Sequence, residues 1–262
     1  MQFIDTHIHI DGKEFDTDRN EVVARAKSAG AVAMLDPAID LPTTNAVLEV
    51  SSQFPGFIFP MAGLHPEEVK TDYGQQLRQI RKIIDSHPSS FIAIGEVGLD
   101  YYWSRDYEKE QQRAFDLQVQ WSVQTRLPLM IHCRKAQNEM LAILRPYAKE
   151  LPGGVFHCFS GNVHEAAQLL DFDNFFLGIG GVLTFKKSRL PLTLADIPLE
   201  RMVLETDAPY MAPVPMRGKR NESAFIPYII ERLAQCRQCS ADEVAAATTR
   251  NAKSIFKRIS IP

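Results

Sequence analysis

The sequence predicts an α/β protein of the (β/α)8 TIM-type barrel class, folded as a single domain over residues 1–262. Short runs of aliphatic and β-branched residues recur along the chain, and most of the gaps between them hold an amphipathic stretch suited to a helix. Alternating strands and helices indicate a parallel sheet, and eight such units match a closed barrel. The candidate strands are residues 2–9, 31–35, 57–63, 91–96, 129–132, 155–157, 175–179 and 202–207.

The candidate helices fall in the gaps between the strands and after the last strand. Pro42 is placed to open the second helix, because proline is tolerated in the first turn. Ser240, followed three residues later by Glu243, is a capping box and predicts the start of the last helix. The clearest helical stretches are residues 21–29, 75–86, 108–125, 138–149, 223–235 and 240–257.

The composition is that of an ordinary globular protein without an overall basic field. The chain is 45% hydrophobic and has a formal net charge of −3. The protein as a whole therefore does not attract a nucleic acid or an anionic membrane, and any polyanion must be held locally. The start of the sequence lacks a basic leader followed by an apolar run, and no run of about 18 apolar residues occurs. These features predict a cytoplasmic protein that does not associate with membranes.

The stretch from Phe3 to His9 predicts two imidazoles side by side. Side chains repeat every second residue on an extended strand, so Asp5, His7 and His9 would point to one face. Such a face is a poor surface to bury against a core, because each polar group needs its own partner. A divalent cation satisfies both ring nitrogens at once, and the stretch therefore indicates a metal site.

Further potential metal ligands lie where the other predicted strands end. Glu96 ends the fourth strand and Asp207 ends the eighth, at the edge where barrels of this class place their active sites. Taken singly, each histidine could be an ordinary buried polar group, and Asp207 could begin a turn before Ala208-Pro209. Their joint position favours a shared site. Five of the seven histidines lie at strand ends, namely His7, His9, His65, His132 and His157.

This set of ligands is larger than one tetrahedral zinc ion requires. It suits two divalent ions of magnesium, manganese or zinc, with Glu96 from the middle of the strand order as the bridge. The imidazoles of the first strand and Asp207 of the adjacent eighth strand would hold one ion, and His132 and His157 the other. Bound metal would lower the pKa of a water towards neutrality, and Asp207 could accept a proton from that water.

Seven motifs carry these residues: His7-Ile8-His9, Gly63-Leu64-His65-Pro66, Gly95-Glu96-Val97-Gly98-Leu99-Asp100-Tyr101-Tyr102, Ile131-His132-Cys133-Arg134, His157-Cys158-Phe159-Ser160-Gly161, Leu204-Glu205-Thr206-Asp207-Ala208-Pro209-Tyr210 and Arg217-Gly218-Lys219-Arg220-Asn221-Glu222. Together, and in this order, they resemble the TatD family of metal-dependent hydrolases, within the amidohydrolase-like barrels. The resemblance covers essentially the whole chain. It implies a TIM-type barrel with two divalent metal ions that hydrolyses phosphodiester bonds, commonly as a 3′-to-5′ deoxyribonuclease on single strands.

The resemblance also implies a role for each candidate residue. His65 would lie beside the metal ligands and contact a substrate phosphate. Two departures from the family pattern leave the substrate preference open: Lys135 stands where many relatives are acidic, and Ser223 stands where they often have proline. The implied metal ligands are His7, His9, Glu96, His132, His157 and Asp207, and Glu96 and Asp207 would also take part in catalysis.

A phosphodiester substrate is anionic, so a protein of negative net charge needs cations beside the site. The loop after the eighth strand contains Arg217, Lys219 and Arg220, and Arg134 follows His132 by two residues. We expect these four side chains to bind substrate, with solvated surface charge as the alternative. Gly218 strengthens the expectation for its loop, because glycine lets a backbone approach a ligand closely.

Aromatic residues lie near the same strand ends, where they could stack on nucleobases. Packing beneath the loops is an equally weighted alternative for most of them. These residues are Tyr101, Tyr102, Trp103, Phe159, Phe185 and Tyr210.

The sequence therefore predicts a metal-dependent hydrolase of ester bonds, specifically a deoxyribonuclease acting on single-stranded DNA. One alternative is a metal-dependent hydrolase of another ester or an amide, such as an aminoacyl-tRNA deacylase, since the same activated water serves these reactions. A second is a barrel that binds nucleic acid without catalysis. The basic loop favours a substrate that carries phosphate. Neither the oligomeric state nor the identity of the metal is predicted.

Overall fold

The computed structural model describes residues 1–260 and confirms the predicted barrel. Eight parallel strands pair in sequence order. Backbone hydrogen bonds close the ring between the last strand and the first, because the Thr6 amide donates to the Leu204 carbonyl at 3.0 Å and the Asp207 amide to the His7 carbonyl at 2.9 Å. The strands are β1 Phe3–Asp5, β2 Ala31–Pro37, β3 Ile58–Ala62, β4 Ala93–Asp100, β5 Leu129–Arg134, β6 Gly154–Phe156, β7 Phe175–Ile179 and β8 Met202–Leu204.

Helices connect successive strands and follow the last one. Pro42 lies in the first turn of the second helix, as predicted, and Asp40 caps that helix by accepting a hydrogen bond from the Thr43 amide. The predicted capping box of Ser240 and Glu243 is also confirmed. None of the helices within residues 1–260 combines the length and the hydropathy needed to cross a bilayer. The helices are α1 Arg19–Ala29, α2 Leu41–Gln53, α3 Tyr73–Ser86, α4 Glu108–Thr125, α5 Gln137–Leu144, α6 Val163–Leu170, α7 Leu190–Leu194, α8 Ile226–Arg237 and α9 Ala241–Ile255.

The interior of the barrel is filled by alternate residues of its strands. Ile4, Leu35, Met61, Met130 and Val203 belong to one buried apolar cluster to which all eight strands contribute. The opposite faces of the strands pack against the helices in a larger cluster. Both faces of the sheet are therefore covered, as a parallel sheet requires.

Helix α9 closes the barrel at the end where the strands begin. Asn251 donates hydrogen bonds to the carbonyls of Leu199 and Met202, directly at the start of β8. Ile255 and Phe256 join the apolar cluster of the barrel interior. One end of the barrel is thereby sealed with apolar side chains, and the opposite end, where the strands finish, is left for a polar site.

Several element boundaries differ from the predicted ones. β1 ends at Asp5 and β8 at Leu204, so the chain leaves the regular ladder before it reaches the site residues that follow. β4 extends to Asp100, beyond the predicted end at Glu96. The fifth helix ends at Leu144 and continues as a 3-10 turn, because Pro146 lacks the amide that an α-helix needs there.

β4 approaches β5 unusually closely near the site. The pairing of the two strands shifts register between Ile94 and Val97, and Gly98 has a φ of +148°. A Cβ added to Gly98 would lie 1.9 Å from the carbonyl oxygen of His132. Glycine permits this approach because it has no Cβ and tolerates positive φ. The close approach holds the end of β4 against the strand that carries His132.

Replacing Gly98 with alanine should destabilise the protein by at least about 2 kcal/mol, because the added methyl group overpacks the strand pair and alanine disfavours that φ. Gly56→Ala is the matched control, since Gly56 has a φ of +74° but no atom lies within 4 Å of its added Cβ. The control should cost about 1 kcal/mol. Urea unfolding followed by circular dichroism measures both. Equal losses would show that the contact with His132 is not what requires glycine.

Candidate metal centre

The structure brings the six candidate metal ligands together at the carboxyl end of the barrel. Each ligand reaches the centre from a strand end or from the segment that follows a strand, because parallel strands of a closed barrel deliver their last residues to one rim. His7 and His9 follow β1, Glu96 lies in β4, His132 lies in β5, His157 follows β6 and Asp207 follows β8.

Glu96 lies in the middle of this group and is 3% exposed. Its Oε2 atom is 3.3 Å from His7 Nε2 and 3.6 Å from His9 Nε2. Its Oε1 atom is 3.0 Å from His132 Nδ1 and 2.8 Å from His157 Nε2. The two oxygens of one carboxylate therefore face two separate pairs of imidazoles.

The first pair has the spacing of metal ligands. His7 Nε2 and His9 Nε2 are 3.3 Å apart, and Asp207 Oδ1 lies 3.7 and 3.8 Å from these two atoms. Ligand atoms around a tetrahedral ion with bonds of about 2.0 to 2.1 Å are separated by about 3.4 Å. Two ring nitrogens that converge at this distance repel each other unless a proton or a cation lies between them. The donor set therefore fits a divalent cation.

The second pair is arranged in the same way. His132 Nδ1 lies 3.3 Å from His157 Nε2, and both face Glu96 Oε1. His65 approaches the same oxygen, with its Nε2 atom at 3.4 Å. Mixed imidazole and carboxylate donors suit zinc, manganese and related divalent ions.

One buried carboxylate, Asp100, orients His132 of the second pair, and another, Glu205, lies beside His157 without a hydrogen bond to its ring. The prediction from the sequence assigned neither carboxylate a function. Asp100 Oδ2 lies 2.8 Å from His132 Nε2, and Glu205 Oε1 lies 3.5 Å from His157 Nδ1. A carboxylate that accepts the outer ring proton fixes the tautomer, so that the other nitrogen is free to bind a metal. The signal available in the sequence was the spacing of Asp100. Asp100 follows Glu96 by four positions, an even separation that places both on one strand face once the fourth strand is extended beyond Glu96.

The pKa shifts of the ligands follow from their mutual contacts. Burial would raise the pKa of Glu96, but the neighbouring His157, His65 and His7 lower it well below its usual value. Burial and the charge of His157 lower the pKa of His7 well below its usual value, which leaves a neutral imidazole with a free lone pair.

On the other side of Glu96 the shift is reversed. Burial would lower the pKa of His157, but Glu96 and Glu205 raise it well above its usual value. The pocket therefore needs positive charge beside Glu96, and either protons or bound cations can supply it.

The tautomer of His65 is set by the backbone. Its Nδ1 atom accepts a hydrogen bond from the Glu67 amide at 3.2 Å. A neutral ring that accepts at Nδ1 carries its proton on Nε2, which is the atom that faces Glu96. His65 therefore points a hydrogen-bond donor at the centre. This donor is suited to the predicted contact with a substrate phosphate, which stays a prediction.

Comparison with known proteins identifies the family. A family model described as "TatD related DNase" matches residues 4–257. The chain belongs to this family. It is therefore a metal-dependent hydrolase acting on ester bonds, and the predicted family and enzyme class are confirmed.

Individual relatives match the chain over nearly its full length. The "Uncharacterized metal-dependent hydrolase YabD" of Bacillus subtilis (strain 168) is 34% identical over 254 residues, which cover 97% of this chain and 98% of that protein. The "3'-5' ssDNA/RNA exonuclease TatD" of Klebsiella pneumoniae (strain 342) is 33% identical over 96% of this chain and 97% of that protein. The crystal structure of YJJV, a TatD homolog from Escherichia coli K12, has a TM-score of 0.90 at 29% identity and covers 97% of this chain and 98% of that one.

The predicted common face of Asp5, His7 and His9 is wrong for Asp5. The chain leaves the regular strand at Asp5, so the alternation on which the prediction depended does not continue. Asp5 is fully buried, and its carboxylate accepts hydrogen bonds from the Thr206 amide at 3.0 Å, the Thr206 hydroxyl at 2.7 Å and the Ser223 hydroxyl at 2.6 Å. Asp5 therefore ties the end of β1 to the segment that carries Asp207.

The structure does not support the predicted contact of Arg220 with substrate. Arg220 donates to Asp18 at 2.6 Å and to the Glu14 carbonyl, and it lies over the ring of Phe15. Its charge is compensated by Asp18, so it attaches the loop after β8 to the start of α1. The sequence pattern missed this because Asp18 is about 200 positions away.

The other three predicted substrate cations remain at the rim. Arg134 lies 3.6 Å from the centre of the Tyr102 ring, and Arg217 lies 4.2 Å from the centre of the Phe185 ring. Lys219 is exposed. Within residues 1–260, none of these three side chains forms a salt bridge with an acidic residue. Their contact with substrate stays a prediction.

Ser223→Ala should destabilise the protein by about 1 to 3 kcal/mol, because the buried Asp5 carboxylate loses one of its hydrogen-bond donors. Ser28→Ala is the control, since the exposed Ser28 hydroxyl bonds only to the Ala24 carbonyl of its own helix. Urea unfolding of the two variants under identical conditions measures the difference. A variant of Ser223 as stable as the control would mean that Asp5 does not depend on this hydroxyl.

Proposed function

We propose that this protein is a 3′-to-5′ exonuclease that hydrolyses single-stranded DNA with two divalent metal ions bridged by Glu96. The observation that carries the proposal is the position of Glu96, whose two oxygens face separate pairs of imidazoles. One ion would be held by His7, His9 and Asp207. The second would be held by His132 and His157. Relatives that are about one-third identical carry the name "3'-5' ssDNA/RNA exonuclease TatD", which supports the substrate and the direction of digestion.

Bound ions would lower the pKa of a water and stabilise the charge on the attacking and leaving oxygens of the phosphodiester. Among the chain's own residues, Asp207 is suited to accept the proton of that water. Burial raises the pKa of Asp207 to about 7, with Glu96 and Glu205 acting in the same direction and His157 against it.

His65 and the exposed cations Arg134, Arg217 and Lys219 would orient the substrate. The Nε2–H of His65 is directed at the centre, where a phosphate oxygen can accept it. Arg134 follows His132 by two residues and carries positive charge at the same rim. Asp100 keeps His132 in the tautomer that directs a lone pair at the metal site, and the charge of Glu205 lies 3.5 Å from His157 Nδ1.

Metal-loaded protein should shorten a 5′-labelled single-stranded oligonucleotide progressively from its 3′ end, because the proposed substrate is a free 3′ terminus. The same strand with an inverted 3′-terminal nucleotide should resist, and electrophoresis of the products measures both.

Single-stranded RNA of the same sequence tests the role of the sugar. Cleavage within the blocked strand would indicate an endonuclease. Intact DNA together with turnover of a carboxylic ester or an amide would favour the other hydrolase, and binding that survives chelation without turnover would favour a non-catalytic barrel.

Glu96→Gln should reduce the metal content from two ions per chain to one or none and lower exonuclease activity by at least about 100-fold, because an amide cannot bridge two cations with negative charge. Glu231→Gln, a change at an exposed carboxylate of α8, is the control and should alter neither quantity. Elemental analysis after gel filtration gives the stoichiometry, and circular dichroism reports whether the fold is kept. Two ions retained in a folded Glu96→Gln protein would contradict the bridge.

A further inference from the structure

The exposed aromatic side chains of the protein are concentrated at one place. Within residues 1–260 three aromatic side chains are more than a third exposed: Tyr102 at 48%, Trp103 at 71% and Tyr210 at 57%. Tyr102 and Trp103 follow β4, and Tyr210 follows β8. All three therefore lie at the rim that holds the candidate metal centre. Large rings left in water at a site entrance are typical of ligand-stacking surfaces.

A cavity of about 160 Å³ opens beside Trp103. It lies between the loop that follows β3 and the loop that follows β4. It has room for one flat ring system and is too small for a base pair. Its walls include Pro66, Val69 and Lys70 on one side and Trp103 and Tyr107 on the other, with Asp100 also in its lining.

The cavity lies next to the metal centre, with Asp100 and the segment that follows His65 between them. Asp100 lines the cavity and also holds His132 Nε2 at 2.8 Å. Pro66, on the opposite wall, directly follows His65, whose Nε2 atom lies 3.4 Å from Glu96 Oε1. A group bound in the cavity would therefore be separated from the candidate ligands by single side chains.

Trp103, the exposed aromatic residue of the cavity wall, packs against Tyr102 and Arg134 beside the cavity. The guanidinium of Arg134 lies 3.6 Å from the centre of the Tyr102 ring and 5.5 Å from the centre of the Trp103 ring. The two rings meet edge to face with their centres 4.8 Å apart. Cation–π contacts of this kind restrain the rings and hold the exposed arginine charge beside Trp103.

We propose that this cavity binds the unpaired base of the nucleotide whose phosphodiester is cleaved, with Trp103 as the stacking surface and Arg134 beside the backbone phosphate. The proposal rests on the proposed nuclease function and adds a specificity-determining residue to it. Because the cavity takes one ring, a base must leave its complementary strand to enter. The geometry thus gives a physical reason for a preference for single strands.

The test compares two oligonucleotides that differ only at the 3′-terminal nucleotide, which carries either adenine or an abasic tetrahydrofuran. Stacking contributes about 1 to 3 kcal/mol per base, so the native protein should cleave the adenine strand with a kcat/KM about 5 to 150 times higher. Trp103→Ala should lose most of this ratio by slowing only the adenine strand. Trp103→Phe should keep most of the ratio, because an aromatic face remains.

Matched controls separate stacking from structural damage. Leu117→Ala removes an exposed apolar side chain from α4 and should leave both rates unchanged. Metal content, measured by elemental analysis, should be the same in all four proteins. A Trp103→Ala protein that slows both strands equally would overturn the proposal, as would native protein that does not distinguish the two strands.

A binding measurement keeps the inference testable without turnover. Trp121 is buried, so Trp103 is the exposed tryptophan of the two in the chain, and its fluorescence should be quenched by the adenine strand and much less by the abasic strand. Failure to cleave any strand, with base-dependent quenching intact, would overturn only the nuclease function. Cleavage with no dependence on the base, in rate or in quenching, would overturn only the stacking subsite.

Discussion

The contact between the buried carboxylate of Glu96 and the imidazoles around it is the constraint on which the site depends. Glu96 is nearly excluded from water, so the negative charge that it carries must be stabilised by its neighbours. Those neighbours come from four other segments of the chain, and none of them is close to Glu96 in sequence. A closed parallel barrel satisfies this requirement because it delivers the end of every strand to one rim.

A second layer of carboxylates gives the centre its rigidity. Each of these groups belongs to one segment and holds a residue on another: Asp100 of β4 holds His132 of β5, and Asp5 of β1 holds Thr206 after β8. Glu205 similarly faces His157 across the rim. These side-chain contacts join neighbouring segments beyond the points where the backbone pairing of β1 and β8 ends, and so they restrain the positions of the ligands there. Ligand positions that are held in advance need little reorganisation when an ion binds.

Periodicity in the sequence was sufficient to predict the barrel and the convergence of the ligands. Both follow from a pattern that repeats along the chain: each hydrophobic run indicates a strand, and the polar residues at the ends of the strands indicate one rim of the barrel. The prediction failed where a boundary or a partner depends on residues far apart in the chain. The early end of β1 redirected Asp5, and an ion pair with Asp18 removed Arg220 from the mouth of the site. The orienting role of Asp100 became visible only when β4 proved to continue past Glu96.

The ion pairs of the loop after β8 limit the positive charge that this protein, of net charge −3, can offer to the proposed polyanionic substrate. Arg220 is compensated by Asp18, and Arg25 of α1 binds Glu222 with three hydrogen bonds, the shortest of 2.6 Å. These pairs contribute no free positive charge. They fasten the loop to α1, and the loop in turn presents Arg217 at the rim. Since only Arg134, Arg217 and Lys219 of the predicted substrate cations lack an acidic partner among the described residues, the bound metal ions would supply much of the local positive field in the proposed function. Substrate attraction and water activation would then share one source, and loss of the ions would weaken both together.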